Sequence, residues 1–173
     1  MQYIYHIVPD KIKGKTLYPL NILKSKFPEI YNLEIKKYSG REEVLKRKIP
    51  ILNCLWNDVL HFTPVNPKKI INELAKLGIR KSFSWYKIDA SKLDKNKSVI
   101  YLYKFKKGNP MSLDNFKEYD HKKMSRLDKI PKRALDYYKQ CVKEGKSPLL
   151  FHFIPHILLK DSLDITNVEI IKS

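Results

Sequence analysis

The chain has 173 residues, of which 43% are hydrophobic, and a formal net charge of +17 with a pI near 9.7. This length fits one domain over residues 1–173, and eleven tyrosines within a normal hydrophobic fraction exclude a disordered chain. A protein with this much positive charge attracts polyanions. The charge therefore indicates a partner that is nucleic acid or carries phosphate; the alternative is a lysine-rich surface that only contacts solvent.

The cysteine content and the absence of long apolar runs indicate in which cellular compartment the protein is expected. Cys54 and Cys141 are too few for a disulfide or metal framework, and both are expected to be small buried hydrophobes in a reducing compartment. The N-terminal MQYIYHIVPD lacks the regions of a signal peptide, and no apolar run approaches the roughly 20 residues of a membrane span. We therefore expect a cytoplasmic protein without a membrane partner.

Helix and strand signals alternate along the chain. Alternating aromatic and aliphatic residues predict a first strand at 3–8, and amphipathic helices follow at 20–27 and 28–38, with a charged helix at 41–48. The later predicted elements are a strand or a loop entering one at 51–63, a helix at 67–77, strands at 83–88 and 98–105, a turn at 106–110, a largely irregular segment at 113–128, a helix at 131–142, an apolar run at 148–159 and a closing strand at 163–171. This order predicts an α+β fold with short, antiparallel strands.

The segment 51–63 is apolar but carries many hydrogen-bonding side chains, including Asn53, Trp56, Asn57 and His61. A strand with so many polar groups is either satisfied internally or lines a site. Its Trp-Asn-Asp stretch forms either a turn closed through its own backbone or a polar turn with an aromatic lid.

Side chains alternate at the end of that segment. Leu60 and Phe62 share a face that should join the core, whereas Val59, His61 and Thr63 share the other face. The second face is either the polar side of an edge strand or the wall of a cleft.

Two further side chains have both an ordinary and a functional interpretation. His6 is either a satisfied, half-buried histidine or a ring that binds a ligand, because neutral imidazole offers one donor and one acceptor. Arg41 is either a solvated arginine at a helix start or a bidentate clamp on a phosphate.

Motifs of common enzymes are absent from the sequence. There is no P-loop, no GxGxxG, no HExxH, no paired CxxC and no GxSxG. His152 and His156 have the spacing of a helical metal pair, but Pro155 lies between them and no third ligand is evident, so no metal is expected.

The order of segments resembles the DarT-like family of DNA ADP-ribosyltransferases, within the wider NAD-dependent ADP-ribosyltransferase class. The resemblance rests on the first strand YIYHIV, on the stretch GREEVLKRKIPILNCLWNDVLHFTPVNPKKI, and on RLDKIPKRALDYYKQCVKEGKSPLLFHFIPHILL. It spans nearly the whole chain as local pattern and segment order.

The resemblance implies two small sheets around a cleft that holds NAD, with ADP-ribose transferred to a base of single-stranded DNA. His6 matches the first-strand histidine, Arg41 matches the family arginine, and Arg47 competes with Arg41 for that role. The residues predicted to contact the NAD substrate are His6, Arg41, Asn53, Trp56, Asn57 and His61. The residues predicted to contact nucleic acid, single-stranded rather than duplex, are Arg47, Lys48, Lys104 and Lys106.

The sequence departs from the family at the catalytic acid. The family places a glutamate at the start of the strand that matches 147–153, which here reads SPLLFHF without an acid. Glu144 is the nearest acid and is, with His6, the predicted catalytic residue. Either Glu144 reaches the site, another group substitutes, or the chain is a relative without transferase activity.

Two other functions are consistent with the same residues. The first is a nucleic-acid-binding or nucleotide-binding domain without catalysis, because basic grooves with stacking rings suffice for single strands. The second is a defence-related interaction protein whose basic face meets an acidic partner.

Overall fold

The computed structural model describes residues 1–104 and 108–173. Within these ranges the α-helices are α1 (Leu20–Lys26), α2 (Pro28–Glu34), α3 (Pro67–Lys76), α4 (Met124–Leu127) and α5 (Lys132–Lys143). The strands are β1 (Tyr3–Ile7), β2 (Thr16–Leu17), β3 (Lys48–Ile49), β4 (Cys54–Leu55), β5 (Leu60–Phe62), β6 (Ser84–Asp89), β7 (Ser98–Tyr101), β8 (Phe116–Glu118), β9 (His156–Leu159), β10 (Leu163–Asp164) and β11 (Glu169–Lys172). The chain is therefore an α+β domain, as predicted.

Two antiparallel sheets organise the fold. The first has the order β1-β6-β11 and the second the order β5-β9-β7-β8, while β2 pairs with β10 and β3 pairs with β4 in two short ribbons. The two sheets meet at one antiparallel bridge between Tyr5 and Thr63. The amide of each residue donates to the carbonyl of the other, at 2.8 and 2.9 Å.

The main core lies between the two sheets. Ile4 and Ile88 of the first sheet pack in one cluster with Phe62, Ile100 and Ile157 of the second. These side chains are at most 4% exposed, so apolar contacts fill most of the space between the sheets.

A second core cluster covers the opposite face of the four-stranded sheet. Val99, Tyr101 and Leu158 pack there against Trp56 and Ile49. A third cluster joins α3 and α5 through Leu74 and Tyr138, among others. The four-stranded sheet is therefore covered on both faces.

Helix α3 has the ends that its sequence predicts. Asn66 is the N-cap and accepts a hydrogen bond from the Lys68 amide at 3.0 Å, and Pro67 occupies the first turn. Gly78 ends the segment with a φ of 81°, which a side chain would strain. Ile70, Ile71 and Leu74 are buried on one face.

Several predicted elements differ from the observed ones. The predicted strand at 51–63 is broken into a turn, β4, a 3₁₀ turn at Trp56–Asp58 and β5, because Asn53 has a φ of 45° and the polar turn interrupts the ladder. The charged segment at 41–48 forms a 3₁₀ turn (Glu42–Lys46) that leads into β3.

The family resemblance predicts a strand at 147–153, and this prediction is wrong. Residues 150–153 form turns, Phe153 has a φ of 63°, and pairing begins only at His156, after Pro155. The closing strand at 163–171 is also divided, because β10 pairs with β2 whereas β11 pairs with β6. The end of the predicted strand at 98–105 and the start of the turn at 106–110 lie outside the described residues.

Of the two interpretations of the Val59 face, the solvated side of an edge strand is wrong, and the wall of a cleft stays a prediction. Val59 and Thr63 are 2% and 3% exposed, so this face of β5 is packed and is not the solvated side of an edge strand. The bridge to β1 and the second core cluster cover it. Both cysteines are buried and unpaired, as predicted, and burial raises the pKa of Cys54 to about 11.

No helix in the described ranges has both the length and the apolar character needed to span a bilayer.

The position of the core between the sheets predicts that two isoleucine substitutions differ markedly in their effect on stability. Ile157→Ala should lower the free energy of unfolding by about 2–5 kcal/mol, because it leaves a cavity at a fully buried position. Ile170→Ala, at a position 56% exposed, should change it by less than about 0.5 kcal/mol. Urea denaturation measures both, and equal losses would contradict this assignment of the core.

Candidate functional site

Four of the five histidines gather around β5 and β9. The ring centroids of His61 and His156 lie 6.3 Å apart. A positive charge on His6 or His156 would lower the pKa of His61, so these rings are close enough to interact. A positive charge on His152 would lower the pKa of His156 in the same way. His121, the fifth, is exposed on a 3₁₀ turn at His121–Lys123.

The sheet register places three side chains of the candidate site on one face. Tyr101 pairs with His156, and Leu158 pairs with both His61 and Val99. Because paired residues share a face and alternate residues return to it, Tyr101, His61 and His156 all project towards the second core cluster.

Trp56 covers this face. Its ring centroid lies 4.6 Å from that of His61, 5.7 Å from Tyr101 and 6.0 Å from His156. The Tyr38 side chain packs against the same core cluster as Trp56. Trp56 is 7% exposed, so it is a buried component of the site and not a surface lid.

Burial keeps these histidines neutral. Loss of solvent lowers the pKa of His6, His152 and His156 to about 4, and it lowers the pKa of His61 well below its usual value. The Nδ1 atoms of His6 and His156 donate to the carbonyl oxygens of Ile7 at 2.5 Å and Ile154 at 2.7 Å. The Nε2 atom of each neutral ring is therefore an acceptor.

Some buried polar atoms on this face have no partner. Within the described ranges, His61 Nε2 and the Tyr101 hydroxyl are buried without a hydrogen bond, and so is Asn57 Oδ1 nearby. Such groups are uncommon in native proteins and need an explanation.

Asn57 and Asp58 hold the start of α1 against the polar turn. The Asn21 side-chain amide donates to Asp58 Oδ1 at 2.5 Å, and its oxygen accepts from Asn57 Nδ2 at 2.7 Å. Asp58 Oδ2 accepts from the Leu55 amide at 2.8 Å. These bonds give Asn57 a structural role, and its predicted contact with a cofactor stays a prediction.

Arg41 and Arg47 flank the aromatic face. Arg41 Nη2 donates to the Lys37 carbonyl at 2.5 Å, and its guanidinium lies 5.4 Å from the Tyr38 ring centroid. The Arg47 carbonyl accepts from the Trp56 amide at 2.9 Å. Both arginine charges act on His152 and Tyr103, so the two residues that compete for the predicted arginine role lie in the same region.

An open groove of about 710 Å³ contains three of the predicted site residues. Its lining residues are Arg47, Lys48, Pro50, Asn53, Asn109, Pro110 and Met111. Arg47 and Lys48, predicted to contact nucleic acid, thus lie beside Asn53, predicted to contact the cofactor. Lys104 is exposed and its amide donates to Asn115 Oδ1, whereas Lys106 lies outside the described residues.

A smaller cavity of about 80 Å³ opens beside His6. Lys11, Lys13, Tyr18 and Glu34 also line it. The Glu34 carboxylate lies 2.6 Å from Lys37 Nζ, and its side chain is 21% exposed. This cavity combines a neutral imidazole, a carboxylate and lysines.

Glu144 lies elsewhere, at the exposed end of α5. Its carboxylate accepts from Gln140 Nε2 at 2.6 Å and Lys146 Nζ at 2.7 Å, and these partners lower its pKa. No contact between Glu144 and the histidines is found in the described part of the chain, and its predicted catalytic role stays a prediction.

Sequence reasoning missed several residues of the site. Tyr101 follows the alternation of a strand and could have been placed on the buried face by that signal. Arg133, Phe153 and Glu34 had no such signal, because turns and helix packing bring them to the site. The described residues contain no group of three or more His, Cys, Asp or Glu side chains that could hold a metal ion.

The half-buried histidines around β5 and β9 predict a loss of stability in mild acid. The folded-state pKa values lie below the value of about 6.5 expected for unfolded histidine, so the unfolded chain binds more protons between pH 6.5 and 4. Their contribution is therefore complete above pH 6.5 and is lost as the pH falls towards 4.

Thermal melting between pH 7 and 5.5 measures this effect, because carboxylates with pKa values near 4 stay almost fully ionised there. His156→Gln should make the melting temperature less dependent on pH, and His121→Ala, at an exposed position, should leave the dependence unchanged. A wild-type melting temperature that is flat across this range would refute the neutral buried state.

Comparison with protein-family models, with curated proteins and with solved structures found no match to this chain.

Proposed function

We propose that the protein is an ADP-ribosyltransferase-like enzyme that binds NAD beside His6 and transfers ADP-ribose to nucleic acid. One observation carries the proposal: a neutral His6, oriented by its bond to Ile7, lines a cavity with Tyr18 and the Glu34 carboxylate. The fold gives general support only: it is an α+β domain with two antiparallel sheets, and that class includes many folds besides the transferase fold.

The His6 cavity suits one end of a dinucleotide. At about 80 Å³ it has room for the edge of a sugar or a small ring, so the rest of NAD would lie along the surface. His6 Nε2 can accept from a ribose hydroxyl or a carboxamide, and the Tyr18 ring supplies an apolar wall. Lys11 and Lys13 add positive charge near the phosphates.

Glu34 offers the carboxylate that the segment 147–153 lacks. In the transfer, the bond between ribose and nicotinamide breaks, the same ribose carbon bonds to the acceptor, and the acceptor loses a proton. A carboxylate near the ribose stabilises the positive charge that develops, and it can take that proton. Glu34 lies at the His6 cavity, whereas Glu144 bonds to its own helix end.

NAD should raise the melting temperature of the wild-type protein. At a hundredfold excess over Kd the stabilisation is about 2.7 kcal/mol, which corresponds to roughly 5–10 °C for a domain of this size. His6→Ala should remove the response, because it removes the ligand acceptor, and His121→Ala should keep it. Glu34→Gln should keep binding but lose transfer of labelled ADP-ribose to DNA, RNA or protein.

Two results would count against this proposal. A folded wild-type protein whose melting temperature does not respond to NAD would exclude the cofactor. A Glu34→Gln variant that transfers ADP-ribose at the wild-type rate would exclude Glu34 as the catalytic carboxylate.

The groove beside Arg47 favours a second candidate, nucleic-acid binding without catalysis. Arg47 and Lys48 supply positive charge there, Asn53 and Asn109 supply hydrogen-bonding groups, and the chain as a whole carries +17. Basic grooves of this kind bind the phosphates of single strands without reading their sequence.

Binding of a labelled single-stranded oligonucleotide, followed by fluorescence anisotropy at several salt concentrations, tests this candidate. The double substitution Arg47→Ala and Lys48→Ala should weaken binding at low salt and reduce the salt dependence by about 0.7 in log–log slope for each lost phosphate contact. The matched control, Lys139→Ala with Lys143→Ala, removes the same charge from exposed positions on α5. If both double variants lose the same affinity, the oligonucleotide responds to the overall charge of the protein, and this groove is not its binding site.

A further inference from the structure

A strap of residues 9–14, between β1 and β2, forms part of the wall of the His6 cavity. Its residues that line the cavity are Pro9, Lys11, Ile12 and Lys13. The other lining residues lie on β1, on β5 and on the segment that runs from β2 to α2. The strap is therefore the longest part of the wall that lies outside helices and strands.

Both ends of the strap are anchored by backbone hydrogen bonds. Before it, the Val8 amide donates to the Ser84 carbonyl at 2.9 Å. After it, the Lys15 carbonyl accepts from the Ile165 amide at 2.9 Å, and β2 then pairs with β10. The two end points are therefore fixed to other parts of the fold.

The middle of the strap is held by few interactions. In the described part of the chain, residues 9–12 form no hydrogen bond and no ion pair, through either backbone or side chains. Asp10, Lys11, Lys13 and Gly14 are exposed, whereas Ile12 is partly buried and packs against the core between the sheets. Segments with few buried apolar contacts and few hydrogen bonds open at a low cost in free energy.

Gly14 gives the strap a backbone conformation that other residues avoid. Its φ of 64° lies in the left-handed region, which glycine adopts without cost and residues with side chains do not. A Cβ atom at Gly14 would meet no other atom within 4 Å, so crowding does not exclude a side chain there. A substitution of Gly14 therefore strains the observed strap without obstructing the cavity.

With the strap in place, the cavity is small for a ligand site. Its volume is about 80 Å³, whereas pockets that bind small molecules usually have about 300–1,000 Å³. A whole sugar or base can therefore enter only if part of the wall moves. The strap is the part of the wall whose middle can move without breaking a hydrogen bond among the described residues.

We propose that residues 9–14 form a lid that opens and closes over the His6 cavity, with Ile12 as its latch and Gly14 as its hinge. Opening removes Ile12 from the core and lets Gly14 leave the left-handed conformation, while the anchors at Val8 and Lys15 stay in place. The lid controls entry to the cavity whichever ligand binds there, so it does not rest on the proposed function.

Thiol labelling of the ligand-free protein with N-ethylmaleimide tests the lid, with the modified sites identified by mass spectrometry. Leu23→Cys places a thiol in the cavity wall at a position 8% exposed, and Ile30→Cys, at a position 4% exposed, replaces it if the first variant does not fold. Native Cys54 is 7% exposed in the second core cluster and reports global unfolding. The cavity thiol should react at least about tenfold faster than Cys54, and at least about tenfold slower than the thiol of Lys24→Cys, at an exposed position on the same helix.

Two strap variants should speed the labelling of the cavity thiol and leave that of Cys54 unchanged. Ile12→Ala weakens the latch and Gly14→Ala strains the closed strap, so each should raise the rate by a factor of about five to thirty. The control Asp10→Asn changes an exposed strap residue that does not line the cavity, and it should leave the rate unchanged.

Three results would overturn the lid. A cavity thiol that reacts as slowly as Cys54 is reached only by global unfolding, and one that reacts as fast as the exposed thiol lies in a cavity that is already open. An unchanged rate in both Ile12→Ala and Gly14→Ala shows that the strap does not control access. Because no ligand is present, faster labelling in these two variants establishes the lid even if NAD does not change the melting temperature.

Discussion

The antiparallel bridge between Tyr5 and Thr63 is the contact on which the site depends. Its two backbone hydrogen bonds join the three-stranded sheet to the edge of the four-stranded sheet. In this register His6 lies beside Phe62, at a ring distance of 5.5 Å, on the face that packs between the sheets. His61 points to the opposite face, so one short strand connects the His6 cavity with the aromatic cluster around Trp56.

Desolvation sets the chemistry of this region. In a chain of net charge +17 the four clustered histidines stay neutral, because burial disfavours the imidazolium form and the nearby arginines add to that effect at His152. The histidines therefore act as hydrogen-bonding groups, and the guanidinium groups carry the positive charge. This division suits a ligand with sugar hydroxyls at one end and phosphates at another.

Part of the candidate site was predictable from the sequence. His6 in a short alternating strand lines one cavity, whereas Arg47 and Asn53 line a separate groove. The position of Glu34 was not predictable, because Glu34 reaches the His6 cavity from α2, and the separation of the two residues along the chain gives no sign that they line one cavity. Arg133 likewise meets Phe153, 20 residues further along the chain, only because the turn at 150–153 packs against α5.

The sequence by itself determined the local elements: the alternation in β1, the capped helix α3, and the buried positions of Leu60 and Phe62 follow from side-chain period and end residues. It also determined the positive charge. The tertiary structure alone decided that Val59 and Thr63 are buried beside β5, that 150–153 turns instead of pairing, and that Arg133 lies over the Phe153 ring. Those features depend on long-range packing and desolvation, which no local pattern encodes.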